Sequence, residues 1–263
     1  MLESQYLEIR FVIACTFAIS FLILERMVPY AKTGTMRWER WPANIGLTVL
    51  NSILLASLRL SPYAFSLVCE ANQWGLFHIF GLSPLAAGVL TFLIFDLAIY
   101  GQHVFFHYVP ILWRLHRVHH TDVHLDVTSA FRFHPVEIML SMSIKMGLIL
   151  ILGANPLGVL IFEIVLNSGS IFSHANVMIP QRLDTFLQTF VVTPRMHWIH
   201  HSIKPKEANT NFGFNLSIWD RIFRTYRIRL PHEADNLRLG VAGIPNLPFL
   251  RLLSLPMKKK EHE

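Results

Sequence analysis

Histidine is the residue type that stands out for chemistry in this 263-residue chain: there are 14, and eight of them fall into three short motifs. His103-Val-Phe-Phe-His107 has the spacing H-x-x-x-H, while His116-Arg-Val-His119-His120 and His197-Trp-Ile-His200-His201 both read H-x-x-H-H. On a helix, residues i, i+3 and i+4 share one face, so the imidazoles within a motif can converge on one ion. Adjacent histidines such as His119 and His120 diverge by about 100° and can address two different ions. Imidazole suits iron, zinc, copper and nickel. One such motif is weak, since histidines at this spacing also serve as packing or surface residues; three together are a metal-site signature. Soluble di-iron bundles use Glu and Glu-x-x-His instead, and no Glu-x-x-His occurs here.

These motifs need elements to hold them. Hydrophobic residues make up 52% of the chain and charged residues 15%, with a mean hydropathy of +0.41. Soluble domains carry about 25% charged residues, so the bilayer is the expected solvent. The expected fold is an all-α integral membrane protein with about three to five membrane helices, including a short hairpin, and a helical cytoplasmic cap carrying the histidine motifs. A net charge of +6 and a pI near 9.5 fit cationic loops at a membrane. A nucleic-acid partner is excluded, because no compact Lys/Arg-rich face with interleaved aromatics is present. Cys15 and Cys69 lie in apolar runs without a C-x-x-C partner, which excludes a disulfide framework or a cysteine zinc site. The first residues are acidic and no A-x-A site follows the first apolar run, so that run reads as a retained helix.

Apolar runs cover residues 6–28, 44–69 and 84–109, each near the ~20 residues a span requires. Arg59, close to Pro62, either breaks the second run or is buried in it. Residues 136–152 and 157–177 form a hairpin about the turn 153–156, with Pro156 opening the second arm; its arms are short for a full crossing. The chain then divides into N-terminal membrane helices (1–83), a histidine-bearing catalytic core (84–230) and a C-terminal tail (231–263). Loop 29–43 carries Lys32, Arg37 and Arg40 and is expected in the cytoplasm, whereas loop 70–83 has no Lys or Arg and is expected outside. Residues 103–107, 116–120, 174 and 197–201 then all fall at the cytoplasmic boundary. No address motif decides between a bacterial inner membrane and the endoplasmic reticulum.

With their surroundings, the motifs resemble the fatty acid hydroxylase / sterol desaturase superfamily of integral membrane oxygenases. Asp96, Tyr100, His103 and His107 are similar to its D-x-x-x-Y-x-x-H-x-x-x-H helix. The stretch HRVHHTDVHLDVTSAFRFHPVE, from His116 to Glu137, is similar to its H-x-x-H-H…D-x-T…R-x-H-P-x-E segment. Phe172-Ser-His174-Ala-Asn176 resembles its single-histidine motif, and Asn211-Phe-Gly213 with Trp219-Asp220-Arg-Ile-Phe223 resembles its N-[YF]-G…W-D-x-[LI]-F tail. Arg224 stands where that tail has glycine. The resemblance covers about residues 84–229. It implies nine ligands (His103, His107, His116, His119, His120, His174, His197, His200 and His201) for two iron ions, with zinc able to replace them in a purified protein. O2 is the implied co-substrate and a lipid C–H bond the target, hydroxylated or desaturated. Ser170 stands where some relatives have a further histidine, which implies an open or water-filled position at one ion. His174 also ends a polar stripe, Glu163, Asn167, Ser170, His174, on one helix face; polar groups at membrane depth are costly and usually face a functional interior.

A ligating imidazole needs its other ring nitrogen oriented, commonly by a carboxylate. Asp96, seven residues before His103, is the first candidate, its alternative role being an ion pair with Arg59. Asp126, Glu137, Glu163 and Asp220 follow. His134, before Pro135, is either a further ligand or a fixture of the loop 132–137. His124 reads as a solvated or substrate-mouth residue, and His78, His232 and His262 lie off the pattern. Phe105 and Phe106 either line an apolar substrate channel or simply pack. The sequence holds no dinucleotide, flavin, haem or cysteine-cluster motif, so electrons must come from a ferredoxin, a cytochrome b5-like protein or a reductase. Lys204, Lys206, Arg221, Arg224, Arg227 and Arg229 make a basic face, either as ordinary cytoplasmic charge bias or for an acidic carrier. Two other classes compete. A zinc-dependent membrane hydrolase needs only three ligands and a carboxylate. A metal transporter would string its ligands along a path through the membrane instead of gathering them at one end.

Overall fold

Proline and small capping side chains set where the helices begin. The computed structural model of the chain describes residues 3–31, 37–228 and 237–258; Lys32, Arg229, His232 and His262 lie outside them. Helix α5 (Pro84–Tyr108) opens on Ser83, which accepts a hydrogen bond from the Ala86 N–H, with Pro84 in the first turn. Helix α6 (Pro110–His120) follows after Val109 alone, again with proline first. Helix α7 (Pro135–Leu152) opens on His134, whose Nδ1 accepts from the Val136 N–H at 3.2 Å. Helix α8 (Pro156–His174) opens on Asn155, which accepts from Gly158. No strand forms among the described residues, only isolated bridges at Val191–Leu216 and Ser202–Leu239.

Ahead of these lie α1 (Glu3–Met27), α2 (Arg37–Ser57), α3 (Pro62–Ala71) and α4 (Leu76–Ile79). The second apolar run breaks at Arg59, which sits exposed in the left-handed region (φ 51°) before Pro62 opens α3. Among the described residues, Arg37–Ile79, Pro84–Tyr108, Pro135–Leu152 and Pro156–His174 are long and apolar enough to cross a membrane. Their apolar windows are only 22% to 50% buried within the protein, which leaves the rest to lipid. The hairpin arms have 18 and 19 residues. At 1.5 Å per residue they reach about 27–28 Å, close to the ~30 Å hydrocarbon thickness, so length permits a full crossing.

Helix α8, the most buried span, is the centre of the bundle, with α5 on one side and α1 on another. Phe162 meets Phe95 and Phe92 edge-on at 5.3 and 6.0 Å. A Cβ on Gly158 would sit 2.9 Å from the Gly88 carbonyl, so glycine sets the closeness of the α5–α8 crossing. At the hairpin turn Gly153 has φ 65°, and a Cβ there would lie 2.1 Å from the Trp74 carbonyl. Within the bundle, Glu163 on α8 binds Lys145 of α7 (3.0 Å), Arg10 of α1 (2.8 Å) and the Tyr6 hydroxyl. At the other end of α1, buried Glu25 accepts from the Val127 and Asn176 N–H groups at 2.9 and 3.0 Å. The C-terminal ends of α5 and α8 and the start of α7 therefore meet at one end of the bundle. Helix α6, the 3₁₀ turn Val127–Phe131 and the short helix α10 (Pro194–His200) are packed there, with α11 (Pro205–Ala208) against α10; α9 (Gln181–Leu187) precedes them and α12 (Ile218–Ile222) follows in the chain.

Candidate metal centre

All nine candidate imidazoles lie at that end, each 9% exposed or less. They form two groups: His103, His107, His116, His120 and His200 in one; His119, His174, His197 and His201 in the other. Within each group the ligand-capable atoms lie within 4.8 Å of one another. The adjacent pairs His119/His120 and His200/His201 are split between the groups, as the divergence of neighbouring side chains on a helix requires. The group containing His174, one turn beyond Ser170, has one imidazole fewer than the other.

Hydrogen bonds to carbonyl and amide oxygens fix which nitrogen is bare in four of the nine rings. His103 Nδ1–H donates to the Phe212 carbonyl (2.7 Å), His200 Nδ1–H to the Thr210 carbonyl (2.8 Å) and His174 Nδ1–H to the Ser170 carbonyl (2.8 Å). His107 Nδ1–H donates to the Asn209 amide oxygen at 3.1 Å, and His116 Nδ1 pairs with Glu137 Oε1 at 2.6 Å. Carbonyl and amide oxygens have no proton to give, so in His103, His107, His174 and His200 Nδ1 carries the proton and Nε2 of the neutral ring presents a lone pair. Yet the Nε2 atoms of His103 and His116 are 3.1 Å apart, and those of His107 and His120 are 3.2 Å apart. His174 Nε2 lies 3.1 Å from both His119 Nε2 and His197 Nε2, and His197 Nε2 lies 3.1 Å from His201 Nε2. Where two of these atoms face each other as lone pairs, they repel at that range unless a cation sits among them. Nitrogens so spaced can reach one ion at the usual bond of about 2.1 Å. The donor set fits two metal ions bound by imidazole alone, since neither group contains a carboxylate or a thiolate.

Burial, and then the neighbouring imidazoles, hold His119, His120, His197, His200 and His201 well below the ordinary histidine pKa. Burial brings His116 down to about 3. These rings are neutral at physiological pH, the form that binds metals.

Of the carboxylates expected to orient a ligand, Glu137 alone touches an imidazole among the described residues. Its Oε2 is buried and unbonded. Asp96 pairs neither with a ligand nor with Arg59; it accepts from Asn215 Nδ2 (2.8 Å), the Leu216 N–H (3.2 Å) and Trp219 Nε1 (2.8 Å). Asp220 accepts from the Phe212 and Gly213 N–H groups (2.8 and 2.9 Å) and the Thr225 hydroxyl (2.7 Å). Both aspartates therefore shape the segment 209–216, which in turn presents its acceptors to His107, His200 and His103. Glu163 is committed to the ion network inside the membrane. His134 lies in neither group: it caps α7, and its Nε2 donates to the Leu253 carbonyl at 3.2 Å. Phe105 is 63% exposed on the outer face of α5, whereas Phe106 is buried beside the His116 ring.

Asp126 reaches no imidazole either; it binds Arg40 and the Trp41 indole N–H. It belongs to a buried brace that sequence reasoning missed. Arg40 also binds Asp122 at 2.8 Å. Arg132, fully buried, donates to the Val118 carbonyl (3.0 Å), the Thr121 hydroxyl (2.8 Å) and Asn44 Oδ1 (2.6 Å). Burial alone would raise the Asp122 pKa, but Arg132 and Arg40 more than offset it and hold it below the usual carboxylate value. The brace locks the end of α6, where His119 and His120 sit. Phe133, from the same loop, stacks on His119 at 4.3 Å and 11°. The legible trace was a polar series, Arg40, Asn44 and Asn51, at helical spacing in an otherwise apolar stretch of α2.

The family model described as fatty acid hydroxylase matches residues 88–225, more than half the chain and all nine histidines. The chain belongs to that family. An ornithine lipid hydroxylase, OlsE, of Rhizobium tropici is 29% identical over 90% of this chain and 72% of its own length. Alkylglycerol monooxygenases of Danio rerio and Homo sapiens are 28% and 27% identical over 73% and 85% of this chain. The chain spans only 40% and 48% of those two monooxygenases. No solved structure matches it. It is thus a membrane protein of a family whose matched relatives are lipid hydroxylases and monooxygenases.

Proposed function

We propose that this protein is a membrane-bound, O2-dependent lipid hydroxylase whose two histidine groups hold a pair of iron ions on the cytoplasmic side. The observation that carries this reading is the convergence of buried Nε2 atoms at 3.1–3.2 Å in two adjoining groups. Iron is favoured over zinc because the relatives' names describe oxygen insertion, which needs a redox-active metal; zinc has no redox chemistry. When bound, the iron pair supplies the activation of O2. The protein's own residues do the rest. His103, His107, His116, His120 and His200 hold one ion, and His119, His174, His197 and His201 the other. Asn209 and the carbonyls of residues 170, 210 and 212 fix the tautomers of His107, His174, His200 and His103, Glu137 holds His116, and Phe133 and Phe106 keep His119 and His116 dry. The substrate class is an amphipathic lipid entering from the bilayer, and hydroxylation is favoured over desaturation by the relatives' printed activities. Residues 1–83 then serve as membrane helices, 84–230 as the catalytic core and 231–263 as a tail. A cytoplasmic site is supported by the surplus of Lys and Arg at this end.

The test is lipid profiling of cells with and without the protein, with His119→Ala as control. A lipid gaining one oxygen only with the intact protein and O2 is expected. A lipid that only loses two hydrogens would mean desaturation, and O2-independent cleavage would mean a zinc hydrolase.

A further inference from the structure

Hydroxylation consumes two electrons and two protons besides O2: R–H + O2 + 2e⁻ + 2H⁺ gives R–OH + H2O. On the hydroxylase reading above, on which this inference rests, those electrons must cross the protein surface near the ions. Residues 203–228 supply a one-sign surface. Every exposed charge there is positive: Lys204, Lys206, Arg221, Arg224 and Arg227. The two acids in the stretch face inward; Glu207 accepts from the Ser202 hydroxyl at 2.6 Å, and Asp220 is fully buried. This segment is also wired to the five-histidine group. Asn209 Oδ1, the Thr210 carbonyl and the Phe212 carbonyl bind His107, His200 and His103. The Arg227 carbonyl and N–H close on Asn211 at 2.8 Å each, and Arg227 Nη1 reaches the Lys206 carbonyl at 3.4 Å. One short path therefore runs from exposed cations to three imidazoles.

Arg224 adds an independent sign. It sits in the left-handed region, φ 60°, which disfavours any residue with a Cβ and suits glycine. The resembling family tail has glycine here. An exposed arginine held in a strained backbone points to a use for its charge.

We propose that Lys204, Lys206, Arg221, Arg224 and Arg227 form the docking face of an acidic one-electron carrier protein, whose electrons enter the five-histidine group through residues 209–212. Carrier and face meet by charge complementarity, which sets association rate and salt dependence more than final affinity.

The experiment uses metal-loaded protein in nanodiscs of zwitterionic phosphatidylcholine and, as probe, a plant-type [2Fe–2S] ferredoxin with an acidic surface. Its dissociation constant is measured directly at rising salt. The wild type is expected to weaken at least about tenfold between 20 and 300 mM NaCl as exposed charges are screened. Arg224→Gly should weaken binding about two- to fivefold, and Lys206→Glu with Arg227→Glu about twentyfold or more. Metal content should stay unchanged in all three. Because glycine suits the backbone at position 224, that variant should melt no lower than wild type, so it decides the matter even if the double variant folds badly. Ferredoxin that does not bind, or binds all three proteins equally and independently of salt, overturns the proposal. So does an effect of these variants confined to discs containing anionic phosphatidylglycerol, which would make the face a lipid-headgroup surface. Lipid-dependent O2 uptake by the wild type with ascorbate and a small mediator separates the two readings. If it is absent the hydroxylase reading fails; if it is present without ferredoxin binding, the docking face alone fails.

Discussion

Replacing Glu137 with alanine isolates what a carboxylate contributes to an all-imidazole site. Glu137 Oε1 lies 2.6 Å from His116 Nδ1 and both groups are buried, so the bond is short, and it would become charge-assisted when an ion held by His116 draws the carboxyl into its ionised form. Bonds to charged groups contribute about 1.5–3 kcal/mol, and loss of such partners typically costs 10–100-fold in metal affinity, about 1.4–2.8 kcal/mol. The loss should fall on one ion, because His116 belongs to the five-histidine group. Asn209→Ala is the neutral comparison. It removes a 3.1 Å bond from His107 in the same group, and a neutral bond contributes about 0.5–1.5 kcal/mol, roughly two- to tenfold. Glu137→Gln keeps an acceptor oxygen and loses the charge, so it should fall between wild type and Glu137→Ala. Anaerobic titration of the apoprotein with Fe(II) against a competing chelator, resolving the two binding steps, reads all of these. The reasoning is refuted if Glu137→Ala weakens both ions equally or neither, or if Asn209→Ala costs more.

Three further outcomes follow from the same geometry. His119→Ala and His120→Ala should each lower the metal count from about two to about one per chain, from different groups, so the two residual sites should differ in absorption when loaded with Co(II). The metal-free protein should lose stability on acidification. His116 is held near pKa 3 against about 6.5 unfolded, so the unfolded state binds the extra proton as pH falls below 6.5 and the folded state does not. His116 alone then removes about 1.4 kcal/mol by pH 5.5, and melting temperatures in detergent at pH 7.5 and 5.5 should show the drop; a flat or rising profile contradicts the assignment of neutral buried rings. Asp220→Ala should destabilise by about 2–4 kcal/mol, because it leaves the buried Phe212 and Gly213 N–H groups unpaired, and thermal melts should show metal release from the five-histidine group before global unfolding.

The convergence of the candidate donors was legible because ligand spacing on a helix is a local property. Spacings of three and four gathered each motif, and the divergence of His119 from His120 anticipated their separation into two groups. The elements were legible for similar reasons: Pro84, Pro110, Pro135 and Pro156 each begin a helix. What surrounds the donors was harder, because it depends on which face of a helix meets which loop. Asp96 shares a face with His103, yet its carboxylate turns toward Trp219, more than 120 residues away in sequence. Glu163 lies on the polar stripe that ends at His174, but Lys145 and Arg10 claim it from neighbouring helices. Arg40 and Asn44 meet Asp122 and Arg132 only when α2 packs on the 3₁₀ turn. His134 was readable as a cap, since the residue before a helix-opening proline is where a cap sits.

The central claim is that nine imidazoles grip two ions, and counting the ions tests it most directly. Elemental analysis of the intact protein, purified in detergent without chelator, should find two first-row transition ions per chain, iron when expressed with iron and exchangeable for zinc. Protein that is folded by its melting transition yet holds no such ion, or holds only one under any loading condition, would contradict the account.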